Sequence, residues 1–144
     1  MTLQIGNSPE SWGVMGPSDP RQVPWDRCLD EIAEAGFVWT ELGPYGYLPT
    51  DPVRLREELD KRGLKMAAGY ALGPLEDPDV WSNIEGQILR EGELLAAVGA
   101  RYIVLIDGNY ADESQARGDR KPRPDDSGWQ RLIETTHRAA DLVR

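Results

Sequence analysis

At 144 residues with 40% hydrophobic content, the chain is long enough for one domain with a sequestered core and too apolar for a disordered one. Its formal net charge of −9 counts against nucleic acid or an anionic membrane as partner, because a polyanion is drawn to clustered Lys and Arg. The single cysteine, Cys28, has no internal disulfide partner, and no stretch approaches the roughly 20 apolar residues of a membrane span. Residues Met1 to Gly16 carry no basic residue and no sustained apolar run, so they read neither as a secretory leader nor as a transit peptide. The expected setting is cytoplasmic.

Read in chain order, the hydrophobic period alternates between buried strand and amphipathic helix. Leu3 to Gly6 is a short first strand. Trp25, Cys28, Leu29, Ile32 and Ala33 then recur at three and four, forming one apolar stripe on a helix that ends at Gly36. Phe37 to Leu42 is the second strand. The second helix turns Leu55 and Leu59 inward and sets Glu57 four residues before Lys61, a favourable surface pair. Leu64 to Tyr70 is the third strand, followed by a longer helix with Trp81, Ile84, Ile88, Leu95 and Val98 on one side. Tyr102 to Ile106 is an uninterrupted apolar run, expected to be covered on both faces. Gly108 to Gly128 is polar, rich in Asp, Arg and Pro, and reads as a long loop. A last helix, capped by Asp126 or Ser127, carries Trp129, Leu132, Ile133, Thr136 and Ala140. No fifth strand follows.

Punctuation supports this division. Gly36, Gly63 and Gly99 each suit the position after a helix, where the left-handed conformation strains any residue with a Cβ. Pro24, Pro52 and Pro78 fit first helical turns, with Asp51 and Asp77 as N-caps of the second and third helices. Four strands alternating with four helices fit either a small doubly wound sheet or half of an eight-unit barrel. A whole barrel takes about 250 residues. Simple succession of right-handed βα units favours the half-barrel, since a doubly wound sheet must reverse its strand order. The expected fold is therefore α/β, one partial barrel domain over residues 1–144 with four βα units and no second half.

In either architecture, reactive groups belong in the loops beyond the carboxyl ends of the strands. Those loops offer Asn7 and Trp12 after the first strand, Glu41 and Tyr45 after the second, and Asp107 and Asn109 after the fourth. Amide, carboxylate and aromatic groups on one face suit a polyhydroxylated ligand, whose hydroxyls donate to carboxylates and whose C–H faces lie against rings. Glu41 ends an apolar strand. It is either a contact to substrate or metal, or a structural carboxylate accepting backbone N–H groups of the glycine-rich turn behind it. Asp107 carries the same ambiguity, as a turn former in Asp-Gly. Glu10 reads as solvated, His137 as a helix-surface residue and Cys28 as a buried thiol. The tryptophans read as core by spacing, except Trp12 in a strand-end loop. GxGxxG, Walker, HExxH and paired CxxC patterns are absent. Asp107-Gly108-Asn109 begins like a calcium loop but lacks its glycine and terminal glutamate.

The run from Asn7 to Val14, the pair Pro24-Trp25, the stretch Glu34 to Phe37 and above all the block Thr40-Glu-Leu-Gly-Pro-Tyr-Gly-Tyr-Leu-Pro-Thr50 resemble the xylose isomerase-like barrels. Within that group they are most similar to the myo-inosose dehydratase branch of the sugar isomerase and epimerase proteins. The resemblance implies a (β/α)8 barrel that binds manganese or cobalt and acts on sugars or cyclitols by proton transfer next to a carbonyl. It also implies that the metal ligands and catalytic bases come from the second half of the barrel, so none carries over to a residue here. Asn7, Trp12, Glu41 and Tyr45 carry over as substrate-facing positions. Three readings follow: half of a sugar- or cyclitol-active enzyme; a catalytically incomplete half-barrel that binds or self-associates, since open strand edges and an apolar inner face invite pairing; and a metal-dependent DNA-repair nuclease, against which the acidic balance counts.

Overall fold

Local chemistry sets the helix boundaries in the computed structural model, which describes residues 4–108 and 124–144. Helix α1 (Trp25–Glu34) starts directly after Pro24. Helix α2 (Pro52–Asp60) has Pro52 in its first turn, and the Asp51 carboxylate accepts the Arg54 amide at 2.8 Å as its cap. Gly36, Gly63 and Gly99 take φ values of 88°, 67° and 84°, the left-handed helix exits predicted for them. Helix α3 (Trp81–Ala97) starts later than predicted. Asp77 does not cap it, because its side chain accepts the Asp79 amide at 2.8 Å in the turn before the helix. The cap of the last helix, α4 (Asp126–Leu142), is Asp125 rather than Asp126 or Ser127. Its Oδ1 takes the Gly128 amide at 2.7 Å and the Ser127 hydroxyl at 2.8 Å.

Three short strands, β1 (Gly6–Asn7), β2 (Trp39–Thr40) and β3 (Lys65–Met66), form a parallel sheet in that order. Gly6 lies opposite Trp39 and Trp39 opposite Lys65. Backbone bonds extend the pairing on both sides: Lys65 N–H to Val38 at 2.9 Å, Ala67 N–H to Thr40 at 2.8 Å, Glu41 N–H to Asn7 at 2.9 Å and Leu42 N–H to Ala68 at 2.9 Å. The first pairing therefore sits later than Leu3 to Gly6, and Leu3 lies outside the described residues. The predicted third strand is broken at Ala67 because its two ends serve different partners. β3 pairs with β2, whereas β4 (Ala68–Gly73) joins β5 (Tyr102–Asp107) in a two-stranded sheet. Among the described residues, five strand segments thus replace four predicted strands without adding a βα unit. The order β1-β2-β3 contains no reversal, as barrel winding requires.

The described chain divides into two compact units, Met1–Tyr70 with Glu91–Val104, and Ala71–Arg90 with Leu105–Arg144. The first contains the main core, where Leu29 and Ile32 of α1 and Leu55 and Leu59 of α2 meet Leu42, Met66, Leu94 and Leu95. Cys28 is fully buried in it, as predicted, and burial pushes its thiol pKa up despite a hydrogen bond to Tyr47. Arg62 ties the two helices together, reaching Asp30 at 2.6 Å and Glu58 at 2.8 Å. Glu58, not Glu57, is also the partner of Lys61 at 2.6 Å, so one carboxylate serves two cations.

In the second unit the Gln87 amide brackets Leu72, accepting its N–H and donating to its C=O, both at 2.9 Å. Arg131 donates to the Glu76 carbonyl at 2.6 Å and Arg138 stacks 3.9 Å from the Trp81 ring centre. Helix α4 buries Gly128, Thr135 and Ala139 and leaves Trp129 and Ile133 about half exposed. The inward stripe is thus offset from the predicted one and built of small residues. His137 is exposed, as expected. Strand β5 departs from its expectation: Tyr102, Val104 and Ile106 are 71%, 43% and 37% exposed, so one of its faces is open. Among the described residues no helix is long and apolar enough to cross a membrane.

Two substitutions test this account by urea denaturation. Asp51→Ala is expected to cost about 1 kcal/mol through loss of the α2 cap. Leu29→Ala, in the centre of the core, is expected to cost about 2–5 kcal/mol.

Candidate functional site

Side chains alternate across a strand, and this alternation divides the second strand between core and site. Thr40 and Leu42 point into the core, at 0% and 1% exposure. Trp39 and Glu41 face the other way and line a cleft of about 930 Å³ in the first unit. Asn7 and Ser8, at the carboxyl end of β1, form the adjoining wall, and Arg101 and Tyr102 another part of it. The indole N–H of Trp39 donates to the Gln4 amide at 2.6 Å, and the Lys65 ammonium stands 5.5 Å from its ring centre.

The turn after Glu41 brings a second carboxylate near. Gly43 has a φ of 68°, and a Cβ there would lie 3.0 Å from the Pro9 ring, so only glycine lets this turn close on the 3₁₀ turn Pro9–Trp12. That turn carries Glu10. The Ser8 hydroxyl donates to Glu10 Oε2, and the Ser8 amide donates to Asn7 Oδ1 at 2.7 Å. Burial raises the Glu41 pKa above the ordinary glutamate value and the nearby Glu10 charge adds to this, while a hydrogen bond from Ser8 opposes it. Tyr70 is pushed up to about 12 by burial and by the charges of Glu10 and Glu91. Glu91 is only 3% exposed. Its Oε2 lies 3.2 Å from the place a Cβ on Gly69 would occupy.

Of the six residues singled out in the sequence, Asn7 and Glu41 are brought together in the cleft. Trp12 is turned away from it, its indole donating to Glu31 at 2.8 Å and its ring packed on the core. Tyr45 also packs on the core. Asp107 lies in the second unit, where its carboxylate accepts the Leu75 amide at 3.4 Å. Asn109 and most of the predicted loop from Gly108 to Gly128 lie outside the described residues. Sequence reasoning missed Trp39, Ser8 and Tyr102, and took Glu10 for a solvated residue. Trp39 could have been found by parity, since a strand that ends on a site-facing Glu41 must send the residue two positions earlier to the same face.

Among the described residues no group of three or more His, Cys, Asp or Glu side chains could hold a metal ion. Among those residues Glu41 has no set of companions of the kind a divalent cation needs.

No family model matches the chain. It is 28% identical over its whole length to an inosose dehydratase of Lacticaseibacillus casei, covering 49% of that protein. It is 32% identical over 99% of its length to the rhizopine catabolism protein MocC of Rhizobium meliloti, covering 45% of it. Among solved structures, a D-psicose 3-epimerase in the presence of D-fructose matches 98% of the chain with a TM-score of 0.69 at 14% identity. An L-ribulose 3-epimerase matches 99% with a TM-score of 0.65 at 19% identity. Along its length the chain is similar to an inosose dehydratase and to MocC, and its fold matches that of about half of each of these epimerase chains. It spans about half the length of the curated relatives it matches, in line with the four-unit half-barrel read from its sequence.

The raised Glu41 pKa has a consequence for stability. A carboxyl that is harder to ionise in the folded chain contributes stability below its ordinary value of 4.5 and loses that contribution as pH rises through the folded value. Glu41→Gln is therefore expected to be more stable than the wild type at pH 7, with the advantage shrinking as pH falls toward 4.5. Urea midpoints across that range check it.

Proposed function

We propose that this chain forms the substrate-facing half of an enzyme that acts on a sugar or cyclitol by proton transfer next to a carbonyl, of the inosose dehydratase, isomerase or epimerase type. The observation that carries the reading is the cleft along β1 and β2, where Asn7, Ser8 and Glu41 at the carboxyl ends share a lining with the rings of Trp39 and Tyr102, the first residues of β2 and β5. Hydroxyls of a polyol donate to Glu41 and exchange hydrogen bonds with Asn7 and Ser8, while the rings cover its C–H faces. The similarity to an inosose dehydratase along the whole chain supports the substrate class. A divalent metal, manganese or cobalt, belongs to this reading only through side chains other than those described. The net charge and single thiol fit a cytoplasmic enzyme.

Calorimetric titration of the 144-residue chain with a keto-inositol tests the reading. Saturable binding is expected, weakened about tenfold, or ~1.4 kcal/mol, by either Trp39→Ala or Glu41→Gln. Binding that neither variant alters would overturn it. Titration with manganese and cobalt, followed by a dehydration assay, shows whether turnover needs more than this half supplies.

A second reading, a self-associating half-barrel, is favoured by the open face of β5 at Tyr102 and Val104 and by the edge position of β1. It predicts a concentration-dependent dimer in sedimentation that Val104→Lys dissociates. A monomer at all concentrations, with no binding of a hydrophobic dye, sinks it.

A further inference from the structure

Gly6, Trp39 and Lys65 stand directly opposite one another across β1, β2 and β3, and residues so placed share one face of a sheet. The row runs from no side chain, through an indole, to an ammonium. A Cβ on Gly6 would lie 3.0 Å from the Cβ of Trp39 and 3.2 Å from its carbonyl oxygen, too close for a packed interior to absorb without one strand shifting. Glycine at this position therefore lets Trp39 lie close against β1. There its Nε1–H donates to Oε1 of Gln4, two residues before Gly6, at 2.6 Å. From β3 the Lys65 ammonium stands 5.5 Å from the ring centre, so the indole has a neighbour on each adjoining strand.

Gln4, Gly6 and Trp39 line the same cleft as Asn7, Ser8 and Glu41. We infer that Gln4 is a positioning residue of that cleft: by accepting the indole N–H it fixes the Trp39 ring as the surface on which a ligand is laid, and Gly6 keeps clear the space that Trp39 needs. An indole without this bond turns about two single bonds, and a ligand that settles on it must still that motion, at a cost of about three- to tenfold in affinity. A ring held beforehand has met the cost in folding. An aromatic side chain beside a cross-strand glycine also stabilises a sheet, so a role in ligand binding has to be separated from a role in stability. The inference deepens the function proposed above and rests on it only for the ligand that uses the ring.

Two measurements on the 144-residue chain test it. Among the five tryptophans, the indole signal of Trp39 in nitrogen–proton NMR spectra is the one that Trp39→Phe removes. Without ligand, Gln4→Ala is expected to shift that signal toward the position of a water-exposed indole and to speed its exchange with water, whereas Gln4→Glu, which keeps an acceptor oxygen, holds it in place. In calorimetry with a keto-inositol, Gln4→Ala is expected to weaken binding about three- to tenfold and Gln4→Glu to restore it, with urea midpoints close to wild type because Gln4 is an exposed side chain. A purely structural role would lower the midpoint and leave the affinity of the folded chain alone. Gly6→Ala should shift the same signal and weaken binding; if it does not fold, the two Gln4 variants still decide. An indole signal that Gln4→Ala leaves in place overturns the inference, as does a shift that Gln4→Glu fails to reverse, or wild-type affinity in Gln4→Ala. If the wild type does not bind the keto-inositol, the substrate reading falls, and the ligand-free spectra alone decide the positioning.

Discussion

The parallel ladder between β1, β2 and β3 is the constraint on which the site depends. One of its bonds, Glu41 N–H to the Asn7 carbonyl at 2.9 Å, joins two residues 34 positions apart in the chain and puts both at the same end of the sheet. The core behind the ladder fixes the parity. Once Thr40 and Leu42 are committed to the apolar side, Trp39 and Glu41 have only the cleft to face. A shift of one residue in this strand would exchange the two sets, burying the carboxylate and emptying the cleft wall.

The electrostatics of the cleft follow from the same placement. Glu41 combines partial burial with a like-charged neighbour, and both effects favour its protonated form. Tyr70 is held neutral for the same two reasons. Perturbed groups of this kind gather where a protein does chemistry more often than where it only packs, although an ion-pair network can also perturb them. Here the neighbours of Glu41 are another carboxylate and a hydroxyl.

Much of the fold was legible because it is written in local terms. The glycines at 36, 63 and 99, Pro52 after Asp51, and the stripes of Cys28, Leu29 and Ile32 or Leu55 and Leu59 each determine structure within a few residues. What escaped depends on partners far along the chain. The break at Ala67 arises from a change of neighbouring strand, and the open face of β5 from what covers it, and neither leaves a mark in its own sequence. The site divides in the same way. Glu41 stood out as a charge ending an apolar strand, and Asn7 as an amide beyond the first. Glu10 looked solvated because nothing local announces the Gly43 turn pressed against Pro9. Trp12 looked available because its acceptor, Glu31, lies 19 positions away on α1.

Cys28 offers a view of the core that needs no added probe. Its thiol is fully enclosed, it is the only one in the chain, and burial disfavours the reactive thiolate. A thiol reagent can therefore reach it only when α1 lifts away from the leucines beneath it, so the labelling rate reads out how often that opening occurs. The chain carries its own clock for the breathing of the layer that supports the cleft.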